Sequence, residues 1–221
     1  MGIRERLTRR DFLRVAGYTV IGSLSIGTSE FSQKDPVKHI VVPEKGYRVN
    51  INEERYEVYA NPIGFYFGLQ DVAEKEMEID GLNKLDNFLR RSNLNIGFVN
   101  ILTGKKRMTH IPSFIPRGSQ IIIAGSFLQD YISMSSTPVD RVLADRDIYH
   151  ELVHVWQEVR DPQDYIREFI RSNGVSTEGG PFARYEFEAD GIADEIRAEK
   201  IRTRKHNQGR IQEFFTIRKI G

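Results

Sequence analysis

The chain has no cysteine, which excludes a disulfide framework, a cysteine-ligated zinc finger, an iron–sulfur cluster and thiol catalysis. An excess of either charge is missing too. Thirty-two basic residues against 31 acidic ones leave a formal net charge of +1, so no overall basic field invites nucleic acid. Long hydrophobic runs are also absent. The weakly apolar, uncharged run from Val15 to Ile26 falls short of the roughly 20 apolar residues that span a bilayer as a helix. No internal repeat, low-complexity tract or linker longer than a loop interrupts the 221 residues. What remains is a chain 39% hydrophobic, with 13 Phe and 9 Tyr to bury. That suffices for one sizeable core and barely for two.

The N-terminus carries its own signal. Thr8-Arg9-Arg10-Asp11-Phe12-Leu13-Arg14 precedes the short apolar run, and Gly, Ser and Thr follow. A basic start, a short apolar middle and small residues behind it describe a secretory signal. The paired arginines with Phe-Leu resemble a twin-arginine signal, with Arg14 where that pattern has lysine. The resemblance implies passage through the twin-arginine export machinery and a location across the cytoplasmic membrane. Ser25-Ile26-Gly27 or Gly27-Thr28-Ser29 could be the cleavage site, and a membrane is a partner only if the segment stays uncleaved. Without residues 1–29 the chain has 27 basic and 29 acidic residues, a net −2, and no reason to seek nucleic acid.

Residues 30–221 read as one domain. Short strands are expected in 37–42, 47–52 and 55–68, where β-branched and aromatic residues alternate with Pro and Gly. A helix is expected from Asp71 to Ser92, on the spacing of Val72, Met77, Ile79, Leu82, Leu85 and Leu89. Further strands are expected at Ile96 to Leu102 and at Gln120 to Ala124, the second a fully buried or edge run through Ile121-Ile122-Ile123, with helix predominating thereafter.

The chemistry lies on a helix predicted to start at Thr137-Pro138-Val139-Asp140 and to end at Asp161-Pro162. Within it stands His150-Glu151-Leu152-Val153-His154. Histidines four apart on a helix project from one face and can share one metal ion. Glu151 sits beside that face, where a water on the metal would lie. By composition the pattern arises by accident roughly once per hundred such chains. The competing account is two core histidines bonded to backbone carbonyls beside a solvated Glu. It fares poorly on a helix that is apolar around most of its girth, because unpaired polar groups there are costly.

Catalytic zinc sites use three protein ligands. His39, His110 and His206 are not well placed by local pattern. Tyr185-Glu186-Phe187-Glu188-Ala189-Asp190, on a second helix expected from Gly180-Pro181, supplies the candidate. Glu186 and Asp190 share a face while Glu188 points away. Glu186 can then bind the ion, and Asp190 can accept a hydrogen bond from an imidazole and so fix its tautomer. Glu188 is expected to be solvated or paired with Arg184, four residues back.

His-Glu-x-x-His followed by Glu-x-x-x-Asp resembles the gluzincin metallopeptidases, over residues 119–206. The resemblance implies an α+β, zincin-like fold: a small mixed or antiparallel sheet packed on the active-site helix, with a second ligand-bearing helix. It implies one zinc per chain held by His150, His154 and Glu186, Glu151 as catalytic base, Asp190 as orienting acid and a peptide or protein as substrate. It makes Ile121-Ile122-Ile123 the substrate-side edge strand. Residues 30–118 match no pattern, and 163–172 have no assigned role. Tyr149, Arg184, Tyr185 and His206 are the candidates for stabilising an oxyanion. Two other classes stay open: a zinc hydrolase of a non-protein amide such as a cell-wall cross-link, and a non-catalytic zinc-binding module. An intact Glu151 disfavours the second, since a structural site needs no base.

Overall fold

Asn61 and Pro62, within a stretch where the aromatic run predicts strand, start a helix. Asn61 is extended, and its side-chain oxygen accepts from the Ile63 amide at 3.1 Å. Pro62 then occupies the first turn, where its missing N–H costs nothing. The helix, α1 (Pro62–Lys75), buries Phe65, Leu69 and Val72 along one stripe. Strand therefore stops at Ala60, and the expectation for 61–68 is corrected. The physical reason is packing between distant segments. A Cβ on Gly64 would lie 2.3 Å from the Glu213 carbonyl oxygen, and one on Gly68 2.6 Å from Leu152 Cδ1. Only glycines let helix α1 approach both neighbours this closely.

The computed structural model describes residues 36–76, 80–102, 106–113, 118–134, 138–172, 180–205 and 213–221, without the side chains of 138–143 and 204–205. The signal-like segment 1–29 lies outside them, as do Met77, Ile79, Thr137 and His206. The single helix expected over 71–92 is two: α1 ends at Lys75, and α2 (Gly81–Ser92) follows, burying Leu85 and Leu89.

The described elements form a mixed α+β fold. One sheet has the order β1-β4-β6-β5, built from β1 (Ile40–Val41), β4 (Leu94–Val99), β5 (Met108–Ile111) and β6 (Ser119–Ala124). β1, β4 and β6 run parallel, with Ile96 opposite Ile121, and β5 returns antiparallel with His110 opposite Ile121. Ile121-Ile122-Ile123 is therefore an interior strand and not the expected edge. Every residue of β6 is buried, because it has a strand on each side. The edge next to the helix that carries His150 and His154 is β5. A second sheet, β2 (Tyr47–Ile51), β3 (Glu54–Ala60) and β7 (Phe215–Ile220), is antiparallel throughout. β7 was not expected from the sequence.

Helix α3 (Gly125–Met134) follows β6, and α4 (Pro138–Arg160) runs from the anticipated proline to the anticipated Asp161-Pro162. Asp161 caps α5 (Pro162–Arg171) by accepting from the Asp164 amide at 3.2 Å. α6 (Ala183–Lys205) begins three residues beyond Gly180. α4 is the core's centre: Ile148, Leu152, Val153, Val155 and Trp156 are fully buried. It packs most extensively on α6, and also on α1, α2, α5 and β5. Among the described residues no helix is long and apolar enough to cross a membrane.

Candidate metal centre

The pairing of α4 with α6 brings three ligand-type side chains to one point. His150 Nε2 lies 3.1 Å from His154 Nε2 and 3.2 Å from Glu186 Oε2, and His154 Nε2 lies 3.5 Å from the same oxygen. The four-residue spacing on α4 sets the rings edge to face, 4.7 Å apart. Glu186, in the first turn of α6, meets them from across the helix interface. Among the described residues this is the one group of three or more potential ligands that converges closely enough to hold an ion.

Each ring's other nitrogen is engaged. His150 Nδ1 lies 3.1 Å from Asp190 Oδ1, and His154 Nδ1 lies 2.8 Å from Gln157 Oε1. Both partners are acceptors, so each Nδ1 carries a proton, and each Nε2 faces the other and Glu186 as a lone pair when its ring is neutral and as a donor when its ring is charged. Three lone-pair atoms this close repel one another unless a cation lies among them. A proton serves one pair at a time, whereas a metal serves all three. With bonds of about 2.0–2.1 Å, a tetrahedral zinc site has ligand-to-ligand edges of roughly 3.3 Å. The observed 3.1, 3.2 and 3.5 Å fit that donor set.

The local field also favours positive charge. Burial pushes the Glu186 carboxyl up, but hydrogen bonds to His150 and His154 and their charge hold it well below the usual carboxylate range. Burial pushes His150 down, yet the hydrogen bond to Glu186 and the charges of Glu151, Glu186 and Asp190 raise it overall. Glu151 is buried on α4, next in sequence to His150. Among the described residues no hydrogen bond reaches its carboxylate. No family model, curated protein or solved structure matches this chain.

The two histidines have different surroundings. His154 is walled by Phe182, Tyr165 and His110, with ring centroids at 5.6, 6.1 and 6.3 Å. His150 is the more open side, with 16% of its side chain exposed. Behind the wall lies a buried polar network. Glu158, on α4 one turn beyond His154, accepts from the Ser113 amide at 2.7 Å, from the Ser113 hydroxyl and from the Ser119 hydroxyl at 3.1 Å. His110 Nε2 lies 2.7 Å from Ser119 Oγ and 3.2 Å from Glu158 Oε2, and its Nδ1 is 3.1 Å from the Tyr165 hydroxyl. Burial pushes the Glu158 carboxyl up, but hydrogen bonding to His110, its charge and the Ser113 bonds outweigh burial and lower it. Tyr165 moves the other way, well above its usual value, through burial and the charges of Glu158, Glu151 and Glu186.

Other expectations meet different partners. Glu188 pairs with Arg160 and not with Arg184, at 2.8 Å. α6 presents it to the end of α4, while Arg184 turns to Asp164. Burial pushes the Glu188 carboxyl up, and bonds from Arg160 and Gln157 bring it below the ordinary value. Tyr149 donates to Asp71 at 2.9 Å, and Tyr185 donates to Asp164 at 2.8 Å. Those hydroxyls and Arg184 are thus committed away from the histidine pair. On α6, Arg197 pairs with Asp194 and Lys200 with Asp71. Gln157, Tyr165 and Phe182 escaped the sequence reading. A glutamine three residues after a candidate ligand, on a helix otherwise apolar, is the signal that could have found the first.

Proposed function

We propose that this chain is an exported, zinc-dependent metallopeptidase of the gluzincin kind. The observation that carries the reading is the meeting of His150 Nε2, His154 Nε2 and Glu186 Oε2 within 3.5 Å, each imidazole with its Nδ1 already bonded to an acceptor. His150, His154 and Glu186 would hold one zinc. Bound there, the ion supplies Lewis acidity toward a carbonyl and a water that is nucleophilic near neutral pH. Glu151 would accept a proton from the attacking water and return it to the leaving amine, a role suited to a buried carboxylate beside the site that no hydrogen bond reaches among the described residues. Asp190 holds the His150 ring, and Arg146 holds Asp190 at 2.6 Å. The edge of β5 that no described strand pairs, packed beside α4, offers backbone groups to an extended peptide. The segment with Arg9 and Arg10 supports export.

The test is zinc content and chelator-sensitive hydrolysis of an unstructured protein by the purified chain. Wild type should carry about one zinc. Glu151→Gln should keep that zinc and lose activity by about 10²- to 10⁴-fold, the range of general-base catalysis. Full turnover in Glu151→Gln would overturn the assignment of the base, and absence of zinc in wild type would overturn the reading altogether.

A further inference from the structure

Gln157, Glu188 and Arg160 have no part in the reaction just described, yet their contacts are tightly specified. Gln157 is completely buried, less than one turn beyond His154. Its side-chain nitrogen lies 2.9 Å from the Tyr185 carbonyl oxygen and 2.7 Å from Glu188 Oε2. Carbonyl oxygens and carboxylates only accept, so the amide atom facing them is the NH₂ group. The opposite atom is then the oxygen, 2.8 Å from His154 Nδ1. An oxygen there requires the ring proton on Nδ1 and leaves the lone pair on Nε2, toward Glu186 and His150. Glu188 is itself anchored. Arg160 forks onto its two oxygens at 2.8 Å each and reaches Glu76 at 2.6 Å. A two-pronged guanidinium pair fixes a carboxylate in direction as well as in place.

We infer that Arg160, Glu188 and Gln157 form a chain of positioning residues that locks the amide of Gln157, and through it the tautomer of His154, so that Nε2 faces the metal. The inference rests on the metal reading above. The two histidines are oriented by different chemistry because their surroundings differ. His150, at the open side, takes a carboxylate directly from Asp190. His154, in the aromatic wall, takes a neutral amide, which avoids placing a further charge in the driest part of the site. The negative charge is kept one residue further out, on Glu188, where Arg160 meets it.

The experiment measures zinc affinity by chelator competition for wild type, Gln157→Met, Glu188→Gln and the double variant, with thermal unfolding run in parallel. Gln157→Met should lose about 10- to 100-fold in zinc affinity, the usual result of removing a group that orients a ligand. Glu188→Gln should lose less, about threefold, and should have no further effect once Gln157 is Met, because it acts only through that amide. Unchanged affinity in Gln157→Met overturns the inference, as does an equal effect of Glu188→Gln in both backgrounds. Should Gln157→Met fail to fold, ring-nitrogen NMR of the zinc-loaded wild type decides. A slowly exchanging proton on His154 Nδ1 is expected, and coordination through Nδ1 refutes the chain. Glu186→Gln is the control for the site itself. If wild type binds zinc and Glu186→Gln binds it equally well, the ligand assignment has failed, whereas normal loss in Glu186→Gln beside intact Gln157→Met isolates the failure to the positioning chain.

Discussion

Glu158 offers the sharpest test of how the buried half of the site is held. It is fully buried, yet two N–H groups and two hydroxyls converge on its oxygens. Truncation to Ala leaves the Ser113 amide without its acceptor and takes the carboxylate from the His110 ring, which keeps only the Ser119 hydroxyl at 2.7 Å on Nε2. At about 1–3 kcal/mol for each buried hydrogen bond to a charged acceptor that is lost, Glu158→Ala should cost roughly 3–5 kcal/mol. Glu158→Gln keeps one acceptor oxygen but replaces charge-assisted bonds with neutral ones and sets an NH₂ near the His110 ring. About 2 kcal/mol is expected, or some 4–8 °C in Tm for a domain of this size. The pH dependence follows from the lowered carboxyl. The folded chain binds this proton more weakly than the unfolded chain does. Its stabilisation is therefore complete above the ordinary value of 4.5 and is lost as pH falls through the lower folded value. Thermal unfolding of wild type and Glu158→Gln at pH 7.5, 5 and 3 should show a gap that is full at the first and narrows at the last. A gap that persists undiminished at pH 3, or none at pH 7.5, refutes the reasoning.

Two further outcomes are expected. Asp190→Ala should weaken zinc binding at least tenfold, because His150 loses its acceptor. Asp194→Ala, which removes the 3.1 Å bond to Arg146 Nε and the 3.3 Å pair with Arg197, should leave zinc affinity within about twofold on the same competition assay, and equal losses would deny Asp190 its orienting role. Replacing Arg9 and Arg10 together with Lys keeps the charge but not the paired guanidinium geometry, so fractionation should find the protein retained inside. Wild-type export of that variant would refute the twin-arginine reading.

The helix bearing His150 was legible because its signals are local. Pro138 opens it, Asp161-Pro162 closes it, and a four-residue spacing fixes which side chains share a face. Glu186 and Asp190 were legible for the same reason, being one turn apart on α6. What local pattern could not supply was the identity of neighbours from distant segments. Phe65-Tyr66-Phe67 has strand composition, but Asn61 caps it and two glycines fit it against Phe214 and Leu152, so packing overrode propensity. An apolar run such as Ile121-Ile122-Ile123 suits an edge or a fully buried strand alike, and only the pairing showed β6 inside and β5 outside. The Arg184–Glu188 spacing is ideal for a pair within one helix, yet Arg160 from α4 and Asp164 from α5 took the two partners. Gln157 was missed because an amide carries no charge to draw attention, although its burial leaves it no freedom.

The three-stranded sheet has a temporal consequence. β7 is the last described element to be synthesised, and Phe214, just before it, is fully buried against Phe65 and Tyr149. The Phe214 carbonyl also accepts from the Asn61 amide at 2.8 Å, and the Glu213 carbonyl from the Asn61 side chain at 2.9 Å. Until that segment leaves the ribosome, α1 lacks the surface its glycines are shaped for, and the flank of α4 next to Tyr149 stays open. The histidine pair thus gains its final support only when synthesis has passed residue 215. Between the synthesis of His154 and that of Phe215, roughly the last third of elongation, a nascent chain carries the histidine pair without that packing.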